Sequence, residues 1–158
     1  MKYIQKTLTE QELLAVKQIE QKLALYCRAM DEKDDALGYS LFTEDSNLDY
    51  GEIFIGNGAA FVDQAHVYHG TKVVTKHQIT NILVSVYGDK AVSISDGRIT
   101  LINKNEDGWY VWDAYGRYSD DWVYQDGEWL ISRRKYRRDF ALITKPENIV
   151  LGHSPLDR

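Results

Sequence analysis

Apolar positions near the start of the chain follow a helical period. Leu13, Val16, Ile19, Leu23, Cys27 and Met30 recur at steps of three and four, which puts them on one face of a helix. Thr9-Glu10-Gln11-Glu12 precedes this stripe as a capping box, with Thr9 as N-cap and Glu12 reaching back to it. The helix is expected to end near Asp31-Glu32-Lys33-Asp34. Asp34 or Asp35 can then cap a second, shorter helix carrying Ala36, Leu37, Leu41 and Phe42. Ser46 to Tyr50 reads as a short strand closed by Gly51. After the turn Gly56-Asn57-Gly58, helical spacing returns at Phe61, Ala65 and Tyr68, with Gly70 as C-cap.

From Thr75 the period changes to two. Strands are expected over Thr75–Tyr87, Ala91–Asn103, Trp109–Tyr124 and Glu128 to about Ala141, separated by turns that each contain Gly and Asp. That is the pattern of an antiparallel meander. Helices first and strands afterwards make an α+β protein with the helices on one face of the sheet, and the space between is a natural pocket. There is no internal repeat, low-complexity tract or linker, so the 158 residues are expected to be one domain. Its core spans about 9–141, and a tail from 142 to 158 holds both prolines.

Composition narrows the class. A 44% hydrophobic and 27% charged chain is neither disordered nor collagen-like. No apolar run approaches the ~20 residues of a membrane span, and Met1-Lys-Tyr-Ile-Gln-Lys lacks the apolar core of a signal peptide. Cys27 is the only cysteine, so no internal disulfide forms, and the cytoplasm is the expected compartment. A net charge of −5 argues against nucleic acid as a partner. Eleven tyrosines and four tryptophans change the picture more. They suit a curved aromatic-faced sheet, or a pocket for a ring-shaped ligand.

Several residues are candidates for chemistry. On a period of two, His77 shares a strand face with Ile79, Asn81 and Leu83. If that face turns toward the helices, a titratable imidazole lines the pocket. The spacing is equally that of a sheet histidine satisfied by a neighbour. Asp31, where the helical stripe runs out, could orient such a histidine, or it could be a solvated helix-end carboxylate. Tyr26 precedes Asp31 by five residues, about 140° around a straight helix, so the two converge only if the helix ends or distorts there. The run Arg133-Arg134-Lys135-Tyr136-Arg137-Arg138 reads as a solvated edge or a salt-bridged subunit contact, with Arg134, Tyr136 and Arg138 on one face. An arginine from that face could enter the pocket and bind negative charge. His66 and His69 are spaced i, i+3 but lack a third metal ligand, so no metal is expected. No phosphate loop, dinucleotide fingerprint or nucleophile elbow is present.

Four strings, in order, resemble the SnoaL-like branch of the nuclear transport factor 2-like superfamily. They are Leu25-Tyr26-Cys27-Arg28-Ala29-Met30-Asp31 with the Asp34–Asp45 segment, Leu48-Asp49-Tyr50-Gly51, Lys76-His77-Gln78-Ile79-Thr80-Asn81, and Gly116-Arg117-Tyr118-Ser119-Asp120 continuing to Asp126-Gly127-Glu128-Trp129. The resemblance implies a cone-shaped α+β barrel, a strongly curved antiparallel sheet wrapped around the N-terminal helices and enclosing an apolar pocket. It is nearest to the scytalone dehydratase, lindane dehydrochlorinase and bile-acid dehydratase group, and it implies catalytic roles for His77 and Asp31. Tyr26 and Arg138 would stabilise developing negative charge. Tyr50, Asn81 and Trp112 would contact substrate. The scytalone enzyme has a second active-site histidine on a neighbouring strand, where Ala91–Asn103 carries none. The implied activity is cofactor-independent elimination from a small cyclic or aromatic substrate. The alternatives are an isomerase, a polyketide-cyclase-like enzyme or a non-catalytic binding module. A homo-oligomer is expected, a trimer before a dimer. The tail, with His153, could close the pocket.

Overall fold

The computed structural model describes residues 7–152; the last part of the tail, with His153, lies outside them. In chain order the elements are α1 (Glu10–Glu32), α2 (Asp35–Tyr39), β1 (Phe42–Asp49), β2 (Ile55–Gly56), α3 (Gly58–Gly70), β3 (Val74–Tyr87), β4 (Lys90–Asn105), β5 (Gly108–Gln125) and β6 (Glu128–Thr144).

The α1 cap is the one the sequence predicts. Thr9 Oγ1 accepts the Glu12 N–H at 3.2 Å, while the Thr9 N–H donates to the Glu12 carboxylate at 2.9 Å, so two amide donors at the helix start are satisfied together. Ile19, Leu23, Tyr26 and Met30 form the buried face. Lys33, in the left-handed conformation, stops the helix. Asp34 caps α2 by accepting the Leu37 N–H at 3.0 Å. The second helix is shorter than its apolar pattern suggests. Leu41 and Phe42 leave it because β6 offers them a strand partner: the Ile131 N–H donates to the Leu41 carbonyl at 2.9 Å, and Phe42 pairs with Ile131. Gly70 is the last residue of α3, and Thr71 is its C-cap.

One six-stranded sheet runs in the order β2-β1-β6-β5-β4-β3. Strands β3 to β6 form the expected antiparallel meander. The Asp126-Gly127 turn between β5 and β6 has positive φ at both residues, as tight hairpins require. β1 adds a parallel pairing to β6, from Phe42 opposite Ile131 to Asp49 opposite Lys135. The sheet is therefore mixed, and β6 lies inside it, so its basic run is not a solvated edge. β2 and β3 are the two ends of an open, curved sheet wrapped around the helices.

Curvature follows from small residues set beside large ones on the concave face. Ser93, Ser95 and Gly97 of β4 are buried alongside Tyr118 and Trp122 of β5. A Cβ at Gly97 would stand 2.4 Å from Tyr118 Cε2. Trp122 Nε1 donates to Ser93 Oγ at 2.8 Å, which satisfies the buried indole.

The inward face of β3 changes partway. Thr75, His77 and Ile79 point in, and then Ile82, Val84 and Val86 do. The register to β4 shifts between Thr80 and Leu83, and Asn81 there adopts φ 52°. A bulge of this kind inserts a residue and switches the alternation. Asn81 and Leu83 consequently do not share the face of His77. Deleting Asn81 is expected to remove the bulge and leave Ile79, Ile82, Val84 and Val86 in plain alternation on the inward face, so the variant is expected to fold. Asn81→Gly, which accepts the same φ, is expected to keep the wild-type melting temperature within about 3 °C. Circular dichroism melts of both variants check this.

Candidate active site

The last turn of α1 brings Asp31 against β3. Asp31 Oδ1 accepts the His77 backbone N–H at 2.9 Å and lies 2.7 Å from His77 Nδ1. Oδ2 accepts the same N–H at 3.1 Å and lies 3.8 Å from Lys76 Nζ. Both side chains are nearly buried. A carboxylate on Nδ1 holds the proton there, so the neutral ring carries its lone pair on Nε2. Among the described residues nothing hydrogen-bonds Nε2, and the ring lines a cavity of about 680 Å³.

This cavity lies between the helices and the concave face of the sheet. Phe61, Ile99, Leu101 and Trp112 give it apolar walls. Its polar groups include His77, His69, Gln64, Thr71, Arg138 and the phenols of Tyr26, Tyr50, Tyr118 and Tyr136. Asp31 itself faces a different crevice, between α1 and β3, with Cys27, Arg28 and Lys76. Asp31 and Tyr26 thus point different ways from one undistorted helix. His77 connects them, its ring centre 6.3 Å from that of Tyr26 in an edge-on contact.

Tyr26 and Tyr50 share a hydrogen bond, hydroxyl to hydroxyl, at 3.2 Å. Tyr50 stacks on Phe61 at 4.4 Å. Burial pushes the pKa values of Tyr26, Tyr50 and Tyr118 well above that of an ordinary phenol, so all three are neutral donors at physiological pH. Arg134 sits against them, its guanidinium carbon 4.3 Å from the Tyr26 ring centre and 4.6 Å from that of Tyr118. Its Nε and Nη2 bind Asp120 in a fork at 2.7 and 2.8 Å, and both side chains are fully buried. Burial acts to lower the Arg134 pKa, but the Asp120 charge and hydrogen bonds, together with Tyr50 and Tyr26, outweigh it and hold the guanidinium protonated. Nη1 is buried with no partner among the described residues.

Sequence-predicted residues divide as follows. His77, Tyr26, Tyr50 and Trp112 line the cavity, with Asp31 directly behind His77. Arg138 reaches the cavity from a largely exposed position, 5.8 Å from the Trp112 ring centre. Asn81 does not reach it. The bulge places Asn81 on the surface, where its Nδ2 donates to Asp96 at 2.8 Å. His66 and His69 do not face one site, since His66 pairs with Asp35 while His69 packs on His77 with ring centres 5.0 Å apart. Arg137, outside the cavity, binds Asp49 and with the Gly51 N–H lowers its pKa to about 2. The Arg134–Asp120 pair, Tyr118, Tyr136 and the cavity-facing role of His69 are not predicted from the sequence. A cross-strand acid–base match in the β5–β6 hairpin is the signal that points to the ion pair.

Residues 11–135 match the SnoaL-like domain family, and the chain belongs to it. No match is found among curated proteins. Solved structures share the fold. A putative scytalone dehydratase from Novosphingobium aromaticivorans superimposes with TM-score 0.75 at 23% identity, over 96% of this chain and 99% of that one. A hexachlorocyclohexane dehydrochlorinase of type 2 gives TM-score 0.75 at 18% identity, over 90% and 95%. A protein of unknown function from Mycobacterium tuberculosis gives 0.70 at 26% identity, over 82% and 75%. The structures that share this fold thus include a putative dehydratase and a dehydrochlorinase. No helix among the described residues is long and apolar enough to cross a membrane.

Two predictions concern the buried charges. Asp120→Ala strands a guanidinium in the core and is expected to cost about 3–5 kcal/mol, whereas Arg134→Met with Asp120→Leu recovers most of that. Urea midpoints measure both. His69 titrates near 4, against 6.5 for a free histidine, because burial and then the neighbouring His77 disfavour its charge; a Met30 backbone hydrogen bond and Asp31 act the other way. Above pH 6.5 the ring is neutral folded and unfolded. As pH falls from 6.5 to 4, the unfolded chain takes up a proton that the fold refuses, so stability declines through this window. The loss is expected to reach roughly 2–3 kcal/mol. Melting curves between pH 7 and 4 are expected to show a shallower decline for His69→Phe than for wild type.

Proposed function

We propose that the protein is a cofactor-independent lyase that eliminates water or a halide from a small, largely apolar cyclic substrate. The observation that carries this is the His77 imidazole, held at Nδ1 by Asp31 and lining a largely apolar, aromatic-walled cavity. His77 Nε2 takes a proton from a carbon next to the one bearing the leaving group. The C–H electrons form the new double bond, and the carbon–leaving-group bond breaks. Asp31 stabilises the imidazolium that results. In the Tyr26–Tyr50 pair one hydroxyl donates to the other, and the accepting phenol keeps a proton free to donate to the departing group. A hydroxyl then leaves as water, and a halide leaves hydrogen-bonded.

The buried Arg134 charge stabilises negative charge building on the phenols and the leaving group. Tyr50 and Trp112 flank the substrate ring, and Arg138 is placed at the cavity to attract negative charge on it. Positioned proton transfer supplies about 10²–10⁴-fold, and the remainder comes from orientation in a largely apolar site. The proposal includes one SnoaL-like domain acting as a homo-oligomer, a trimer before a dimer. The stacked Tyr115–Phe140 pair and the exposed Leu142 and Ile143 on β6 support self-association.

Cyclic alcohols and halides supplied to the purified protein are expected to lose the mass of water or hydrogen halide. His77→Ala is expected to lower kcat/KM by about 10²–10⁴-fold while keeping its melting temperature, and Asp31→Asn is expected to lower kcat more than it raises KM. A folded His77→Ala variant with unchanged turnover sinks the proposal. A product of unchanged mass makes the protein an isomerase.

A further inference from the structure

We propose that Arg138 binds a carboxylate carried by the substrate, so that the site takes ring acids whose carboxylate lies across the ring from the carbon that His77 deprotonates. This rests on the cavity being the substrate site, as proposed above, and adds the charge class of the substrate.

The charges around the cavity favour an anion. The chain has 24 acidic residues against 19 basic ones, yet among the described residues no aspartate or glutamate lines the cavity. Asp31 faces the crevice between α1 and β3, beside Lys76, and Asp120 is taken up by Arg134 inside the sheet. Arg138 is the only arginine or lysine among the lining residues. A cleft of one sign on a chain of the other draws in ligands of matching charge.

Arg138 is also left without a partner of its own. Arg28, Arg98, Arg117, Arg134 and Arg137 each pair with a carboxylate. Arg133 and Arg138 make no ion pair among the described residues, and of these two only Arg138 lines the cavity. Asp139 follows it in the chain, at the register irregularity opposite Tyr115 and Gly116, and does not pair with it. The guanidinium lies over the Trp112 ring at 5.8 Å, which holds it at the cavity. No oxygen among the described residues accepts from its N–H groups, so the planar fork that matches a carboxylate is open.

Depth separates the two ends of the site. His77 and the phenols of Tyr26, Tyr50 and Tyr118 are buried, whereas Arg138, Gln64 and Thr71 are exposed at the rim. β5 and β4 separate the β6 backbone of Arg138 from the β3 backbone of His77, on the order of 14 Å along the curved sheet. Both side chains reach inward, and a ring lying between them against Ile99, Leu101 and Trp112 has its reacting carbon at one and its acid at the other. The rim position also decides which charge Arg138 meets. Charge that develops during reaction is best held by fixed groups out of water, and the buried Arg134 and phenols have that place. A solvated arginine at the rim binds a charge the substrate already carries. Solvent screening trims the strength of such a pair, so the expected discrimination is about tenfold.

The test compares naphthoate with naphthamide, an uncharged probe of the same shape. Binding to the full chain is followed by the resonances of isotope-labelled histidine rings and of the Trp112 indole. Naphthoate is expected to bind about tenfold more tightly than naphthamide, to shift the His77 and Trp112 resonances, and to lose most of its advantage between 0.1 M and 1 M salt, as the screening length falls from about 10 Å to about 3 Å. In Arg138→Gln the preference is expected to fall to near unity with naphthamide affinity kept, and Arg138→Lys, which keeps the charge without the fork, is expected to restore part of it. Arg138→Met serves the same comparison if the glutamine variant does not fold. Equal binding of the two probes by wild type, or a naphthoate preference that survives in the folded variant, overturns the assignment and leaves the cavity as the substrate site. Binding of neither probe near His77 overturns both.

Discussion

One carboxylate ties the helical layer to the sheet. β3 is an edge strand, and the His77 N–H points away from β4 toward α1, where Asp31 accepts it. The same carboxylate holds the His77 ring. An acid at the C-terminal end of a helix opposes the helix dipole, which costs about 0.3–1 kcal/mol. Charge-assisted hydrogen bonds contribute about 1.5–3 kcal/mol each, so the attachment wins. Covering an edge amide also removes a pairing site that a second chain could use. Docking of α1, protection of the edge and orientation of the imidazole are one event.

The remainder of the cavity is organised by where charge is allowed. Arg134 and Asp120 are buried as a forked pair inside the sheet, against tyrosine rings. Replacing such a pair by apolar groups is often neutral for stability, so packing alone does not require it. What it provides is a fixed positive charge beside phenols that burial keeps neutral. The opposite wall is hydrocarbon and indole. In the proposed reaction a substrate lies with its reactive end toward the phenols and imidazoles and its ring against Ile99, Leu101 and Trp112.

The fold was largely legible because its signals are local. The capping box, the helical stripe and the Gly-Asp turns each lie within a few residues of the structure they specify. The dyad needed the family resemblance, since Asp31 and His77 meet only through the packing of α1 on β3. Two losses trace to bulges. Gln78-Ile79-Thr80-Asn81-Ile82-Leu83 has no glycine or proline to mark the switch of faces, so Asn81 reads as inward. Counting back from the Asp126-Gly127 turn pairs Asp120 with Arg133, but an irregularity at Ser132 moves the partner to Arg134. Arg134 is then the one fully buried member of a run whose other basic residues are exposed. His69 drew attention as half of a metal pair, because a helix period alone does not show that His66 and His69 face different neighbours.

The parallel pairing of β1 with β6 has a consequence for how the site comes into being. The meander β3–β6 closes through short turns and gains its contacts locally. β1 must find β6 across most of the chain, from Phe42 to Ile131. Closing a loop of that length carries the larger entropy cost, and contacts of high sequence separation slow folding. Tyr50, just past β1, reaches the Arg134 wall only when that closure is made. A chain with its hairpins already paired would have a sheet and a hydrophobic face but no assembled phenol pair. Long-range closure therefore separates having a fold from having a site, and a newly made chain acquires the second last.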